Sequence, residues 1–167
     1  MKPYSPEMEK LLTKGLLAGY VGKNEFGKVI KEKVNRGPVR FTVTSFLSPD
    51  GGQYQDGWSK GGGQEVGQQG EEKATRLYAG DTLSDEELRQ IGITHDQIIK
   101  YHQGKLDELS GRTRLFEDCS PEPDGDWQYR YEVIRNLEAI PLVIALETIR
   151  YKDRTVFAHG FLHAKIR

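Results

Sequence analysis

The chain predicts an α+β fold, with N-terminal and central helices packed on one face of a curved antiparallel sheet whose core is a C-terminal three-strand meander. Three observations carry that expectation. From Trp127 to Arg167 apolar and polar residues alternate, interrupted by a polar break at Lys152-Asp153-Arg154. An apolar stripe at helical spacing (Met8, Leu11, Leu12, Leu16, Leu17) follows Ser5-Pro6 near the N-terminus. Two capping boxes stand in tandem at Ser84–Glu87 and Thr94–Gln97. Runs of helices followed by runs of strands favour helices gathered on one side of an antiparallel sheet. A cone-shaped sheet with helices closing its mouth fits that order.

The elements follow in turn. Ser5 can cap the free amides of a first helix, and proline at its first position loses no hydrogen bond. Asn24 opens a second short helix, with Phe26, Val29, Ile30 and Val34 facing inward, that Asn35-Arg36-Gly37-Pro38 ends. Val39–Leu47 is rich in β-branched and aromatic residues and reads as a strand. Ser48-Pro49-Asp50-Gly51-Gly52 is a turn by composition. Residues 53–73 are rich in Gly and Gln and almost free of aliphatic side chains, so the stretch at about 48–74 reads as a long mobile loop, a lid or disorder. Thr75–Ala79 is a short strand. In each capping box a hydroxyl meets an acid or amide three residues on, which predicts helices from Ser84 and from Thr94 to near Ser110. Thr113–Phe116 is a further strand, and 119–126 an acidic loop. Strands near 127–136, 141–151 and 155–166 complete a single 167-residue domain.

Composition narrows the classes of partner. Charged residues make up 29% of the chain, yet the net charge is only −1. Such a balance has no broad field to draw nucleic acid or an anionic membrane, so neither is expected as a partner. The helix–turn–helix pair lacks a basic second helix and reads as packing. The lone cysteine, Cys119, can form no internal disulfide. With no signal-like or membrane-length apolar run, a soluble cytoplasmic protein is expected.

The candidate chemistry sits in the last hairpin. A turn at Asp153-Arg154 would set Thr148 opposite His159 and Glu147 opposite Gly160, a pairing that one residue of slip would exchange. His159 and His163 then share a face about 13 Å apart at ~3.3 Å per residue, too far to bind one metal ion. Two half-exposed sheet histidines are the plain reading; His159 as a base or ligand-orienting group is the sharper one. Glu147 interrupts an apolar strand. It either faces solvent, paired with Arg130 or Arg150, or is buried as a candidate acid or base. Tyr131 belongs to an aromatic stripe with Trp127 and Tyr129 that reads as core.

No catalytic constellation is legible, and no metal site or cofactor is implied. The leading expectation is a small interaction or regulatory protein without catalytic activity, presenting the Gly/Gln loop and the acidic turn to a protein partner. The alternative is a small-molecule-binding protein or acid–base enzyme with a pocket between the C-terminal sheet and the helices. Glu147, His159 and Tyr131 would be its catalytic candidates, and Trp58, Arg130 and His163 its ligand-binding ones. An exposed edge strand at 155–166 could also pair two copies.

Overall fold

The computed structural model describes Lys2, residues 4–137 and residues 139–166. Helix α1 spans Pro6–Leu16 and runs on through one π turn, Leu17–Val21. Five strands follow: β1 Lys28–Arg36, β2 Val39–Leu47, β3 Gln53–Ser59, β4 Gly62–Gln69 and β5 Glu72–Thr82. Helices α2 Asp85–Gln90 and α3 His95–Leu109 interrupt them, and β6 Trp127–Leu137, β7 Leu142–Tyr151 and β8 Arg154–Ile166 complete the chain. All eight strands form one antiparallel sheet in the order β1-β2-β3-β4-β5-β8-β7-β6. The expected class, helices on one face of a curved antiparallel sheet, is what the molecule adopts. Among the described residues no helix is long and apolar enough to cross a membrane.

The helix starts form as their sequences dictate. Ser5 Oγ accepts from the Met8 amide at 3.2 Å. Ser84 and Glu87, and Thr94 and Gln97, close reciprocal capping boxes. Each box satisfies amides that the first helical turn leaves without partners. Helix α1 lies on the concave face of β2–β5, burying Met8, Leu11 and Leu12 with Phe46, Tyr54 and Ala74. Glycines let it come close: a Cβ on Gly67 would stand 3.0 Å from Met8 Sδ, and one on Gly15 would collide with the Tyr54 ring. Helix α3 covers the other half of the same face, where Ile98 and Leu109 join Tyr129, Ile149, Phe157 and Phe161.

Several expectations are corrected. Residues 28–36 form an edge strand, not a helix; Val29, Ile30 and Val34 are β-branched, and every residue pairs with β2 across a turn containing Gly37 at φ 60°. The stretch read as a long mobile loop at 48–74 is mostly hairpin, β3 and β4, with Gly61 and Gly70 at positive φ in its turns. Small side chains make it a seat for α1 rather than an unpacked coil. Thr113–Phe116 is an irregular bend, because Arg114 takes φ 57°. Strand β8 is not an edge: it lies between β5 and β7, and the edges are β1 and β6.

The last hairpin also differs from its expected register. The turn is Lys152-Asp153, with Lys152 at φ 53°, and a bulge at Ile149/Arg150 follows. Glu147 therefore pairs with His159, and Leu146 with Gly160. That slip of one residue brings Glu147 and His159 onto the same, concave face.

Candidate functional site

The concave face carries cross-strand rows of side chains, because paired residues on neighbouring strands point the same way. One row reads Thr44, Asp56, Glu65, Arg76, His163 and Val143 across β2, β3, β4, β5, β8 and β7. The next reads Thr42, Trp58, Gly63, Tyr78, Phe161 and Ala145. Charge in an otherwise apolar interior must be paired to persist, and most of it is. Glu65 binds Arg76 through two oxygens and accepts from the Tyr54 hydroxyl at 2.6 Å. Burial would raise the Glu65 carboxyl, but Arg76 holds it below its usual range.

The second pair is Glu147 with Arg114. Arg114 Nε donates to Glu147 Oε1 at 2.8 Å and Nη2 to Oε2 at 2.6 Å, the forked geometry that suits a guanidinium. Tyr129 donates to Oε1 at 2.6 Å, and His102 Nε2 stands 3.1 Å from Oε2. Burial opposes ionisation of Glu147; Arg114 and His102 more than offset it and hold the carboxyl well below its ordinary value. Burial outweighs the pull of Glu147 and lowers the His102 pKa from its ordinary value. His102 Nδ1 lies 3.0 Å from the Tyr20 hydroxyl and Nε2 3.0 Å from Arg114 Nη2, so the ring links Tyr20 to the ion pair. Arg114 also ties the two ion pairs together, its carbonyl accepting from Arg76 Nη1 at 2.6 Å.

Between α1, its π turn and α3 on one side and β1–β5 and β8 on the other lies a cavity of about 1280 Å³. Its aromatic walls are Trp58, Tyr54, Tyr78, Tyr20 and Phe157; its floor exposes edges of Glu65, His102 and Arg114. Lys31, Lys33 and Lys60 stand at the rim with Glu32, Asp81 and Asp85. Two polar groups on the wall lack full partners. Asp56 Oδ1 accepts from the Tyr78 hydroxyl at 2.9 Å, while among the described residues no group bonds to Oδ2. Among the described residues the buried His159 Nδ1 has no hydrogen-bond partner. Burial, then the neighbouring Glu65 charge, raises the Asp56 carboxyl to about 7. Burial and the Arg114 charge lower His159 to about 4, so its ring is neutral at physiological pH.

Of the residues nominated from sequence, His159 and Trp58 line this cavity. Glu147 is fully buried one layer behind it rather than facing solvent, so the outward, Arg130-paired alternative is corrected. Tyr131 and His163 lie deeper, bonded to each other at 3.0 Å; His163 is completely buried, not half-exposed. Arg130 points outward and pairs with Glu132 at 2.6 Å. Cys119 packs against the core beside β6, and burial raises its thiol pKa. No group of His, Cys, Asp and Glu among the described residues could hold a metal ion.

Sequence reasoning passed over Asp56, Tyr78, His102 and Arg114. Two of these had a readable signal. His102 completes the four-residue spacing Ile98–His102–Leu106 on α3, which marks a buried face. Tyr54, Asp56 and Trp58 alternate with Gln55 and Gly57, as one face of a strand would. No family model, curated protein or solved structure matches this chain.

Proposed function

We propose that this protein binds a small organic molecule in the cavity between the concave sheet and the helices. The observation that carries the reading is the cavity itself. At about 1280 Å³ it exceeds the roughly 300–1,000 Å³ usual for ligand sites. Its lining has the mixture such sites use, aromatic walls with a few convergent polar groups. The leading expectation from sequence, an interaction protein presenting the Gly/Gln stretch and the acidic turn, loses one of those two features, because the Gly/Gln stretch is a sheet hairpin.

The test is a fragment screen read by amide NMR. Saturable shifts should centre on Trp58, Tyr78 and His159. Thr42→Trp, which lays an indole across the rim between the paired Lys33 and Trp58, should abolish them while leaving the spectrum folded. His159→Ala should weaken binding with the fold intact. A screen without saturable binding, or shifts confined to the outer face around Leu77 and Leu162, would refute the reading.

A further inference from the structure

The fixed charges of the interior pair off almost completely. Glu65 is matched by Arg76 and Glu147 by Arg114. Asp56 remains, on the cavity wall, with only the Tyr78 hydroxyl bonded to it. Gly63 lies between Trp58 and Tyr78 in their row, and a Cβ there would meet the Tyr78 hydroxyl at 2.5 Å. Glycine thus lets Tyr78 reach over β4 toward β3 and aim Asp56 at the open volume. Lys31 and Lys33 are exposed on the edge strand at the rim, and the nearest fixed cations inside are committed to Glu65 and Glu147.

Resting on the binding role proposed above, we infer that the ligand is an amine or other cationic nitrogen compound carrying an aromatic ring, its N–H groups donating to Asp56 Oδ2 and its ring packing against Trp58 and Tyr78. An ammonium supplies the counter-charge that Glu65 and Glu147 receive from Arg76 and Arg114 and that, among the described residues, no ion pair gives Asp56. The Tyr78 face beside it favours a cation as well, since ring quadrupoles attract positive charge, as the Trp58 face shows by holding Lys33 Nζ 6.0 Å from its centroid. The His159 ring, 5.4 Å from that of Tyr78, extends the same aromatic wall. The raised pKa of Asp56 accords with a carboxyl lacking its partner.

Three probes of one ring and similar reach separate the possibilities: 2-phenylethylamine, 2-phenylethanol and 3-phenylpropanoate, titrated at pH 8 by amide NMR. The amine should bind roughly tenfold to hundredfold tighter than the alcohol, the range expected of one charge-assisted hydrogen bond, and the carboxylate weakest. Asp56→Asn should erase the preference while the alcohol still binds. Equal affinities, a tightest carboxylate, or an amine preference that survives Asp56→Asn would overturn the inference and leave the binding role standing. Absence of shifts at Trp58, Tyr78 and His159 with all three would overturn both.

Discussion

Replacing Asp56 by Asn should stabilise the protein increasingly as pH rises from about 4, with the full gain reached near pH 7. Asparagine keeps an oxygen for the Tyr78 hydroxyl and cannot ionise. In the unfolded chain the Asp56 carboxyl loses its proton near 3.8; in the fold it holds the proton to about 7. Between those values the folded state carries more protons, so folding becomes less favourable as pH rises. Each pH unit of that gap is worth about 1.4 kcal/mol, and the gap from 3.8 to about 7 amounts to about 4 kcal/mol. Glu65 and Glu147 run the other way. Their carboxyls are held down, so their contribution is present above the ordinary carboxylate range and lost on acidification. Comparing variant with parent cancels Glu147, while the repulsion between Asp56 and Glu65 vanishes with the Asp56 charge and is part of the same gap. Urea unfolding followed by circular dichroism from pH 4 to 8 should show near-equal stability at pH 4. The variant's advantage should grow to several kcal/mol by pH 8. A difference that stays flat, or that favours the parent as pH rises, would refute the claim that Asp56 is desolvated without a counter-ion.

Three further outcomes test the packing that shapes the cavity. Glu147→Gln leaves Arg114 buried without its counter-ion and should cost about 3–5 kcal/mol; thermal unfolding should also show that Glu147→Leu combined with Arg114→Met costs less, because neither charge is stranded. Gly15→Ala drives a methyl into the Tyr54 ring and should cost about 1–3 kcal/mol. Gly104→Ala in α3, where a Cβ meets nothing within 4 Å, should instead gain about 0.5–1 kcal/mol.

Local rules were legible in the sequence and long-range pairing was not. Ser5, Ser84 and Thr94 announced their helices because capping depends on residues only three apart. The alternation from Trp127 onward announced β6–β8 for a similar reason. The β3–β4 hairpin was missed because its partner in packing, α1, needs glycines where a freestanding strand would need aliphatic residues. The edge strand β1 was missed because its Lys and Glu residues mask a β-branched minority. Glu147 drew notice as a carboxylate in an apolar strand. Its fate was set by Arg114 and His102, which arrive from a bend and a helix with no sequence proximity to it. The turn at Lys152-Asp153 and the bulge near Arg150 then together decided that His159, not Gly160, stands opposite.

The placement of β8 has a consequence for biosynthesis. The latest strand in the chain is the seam between two partial sheets, β1–β5 and β6–β7. While a ribosome is still producing it, the β5 border has no neighbour, and the cavity lacks the wall that bears His159. Ladder bonds bridging some 80 residues, as between Ala79 and Gly160, make loop closure the slow event. A nascent chain halted before residue 154 should therefore engage chaperones rather than ligand.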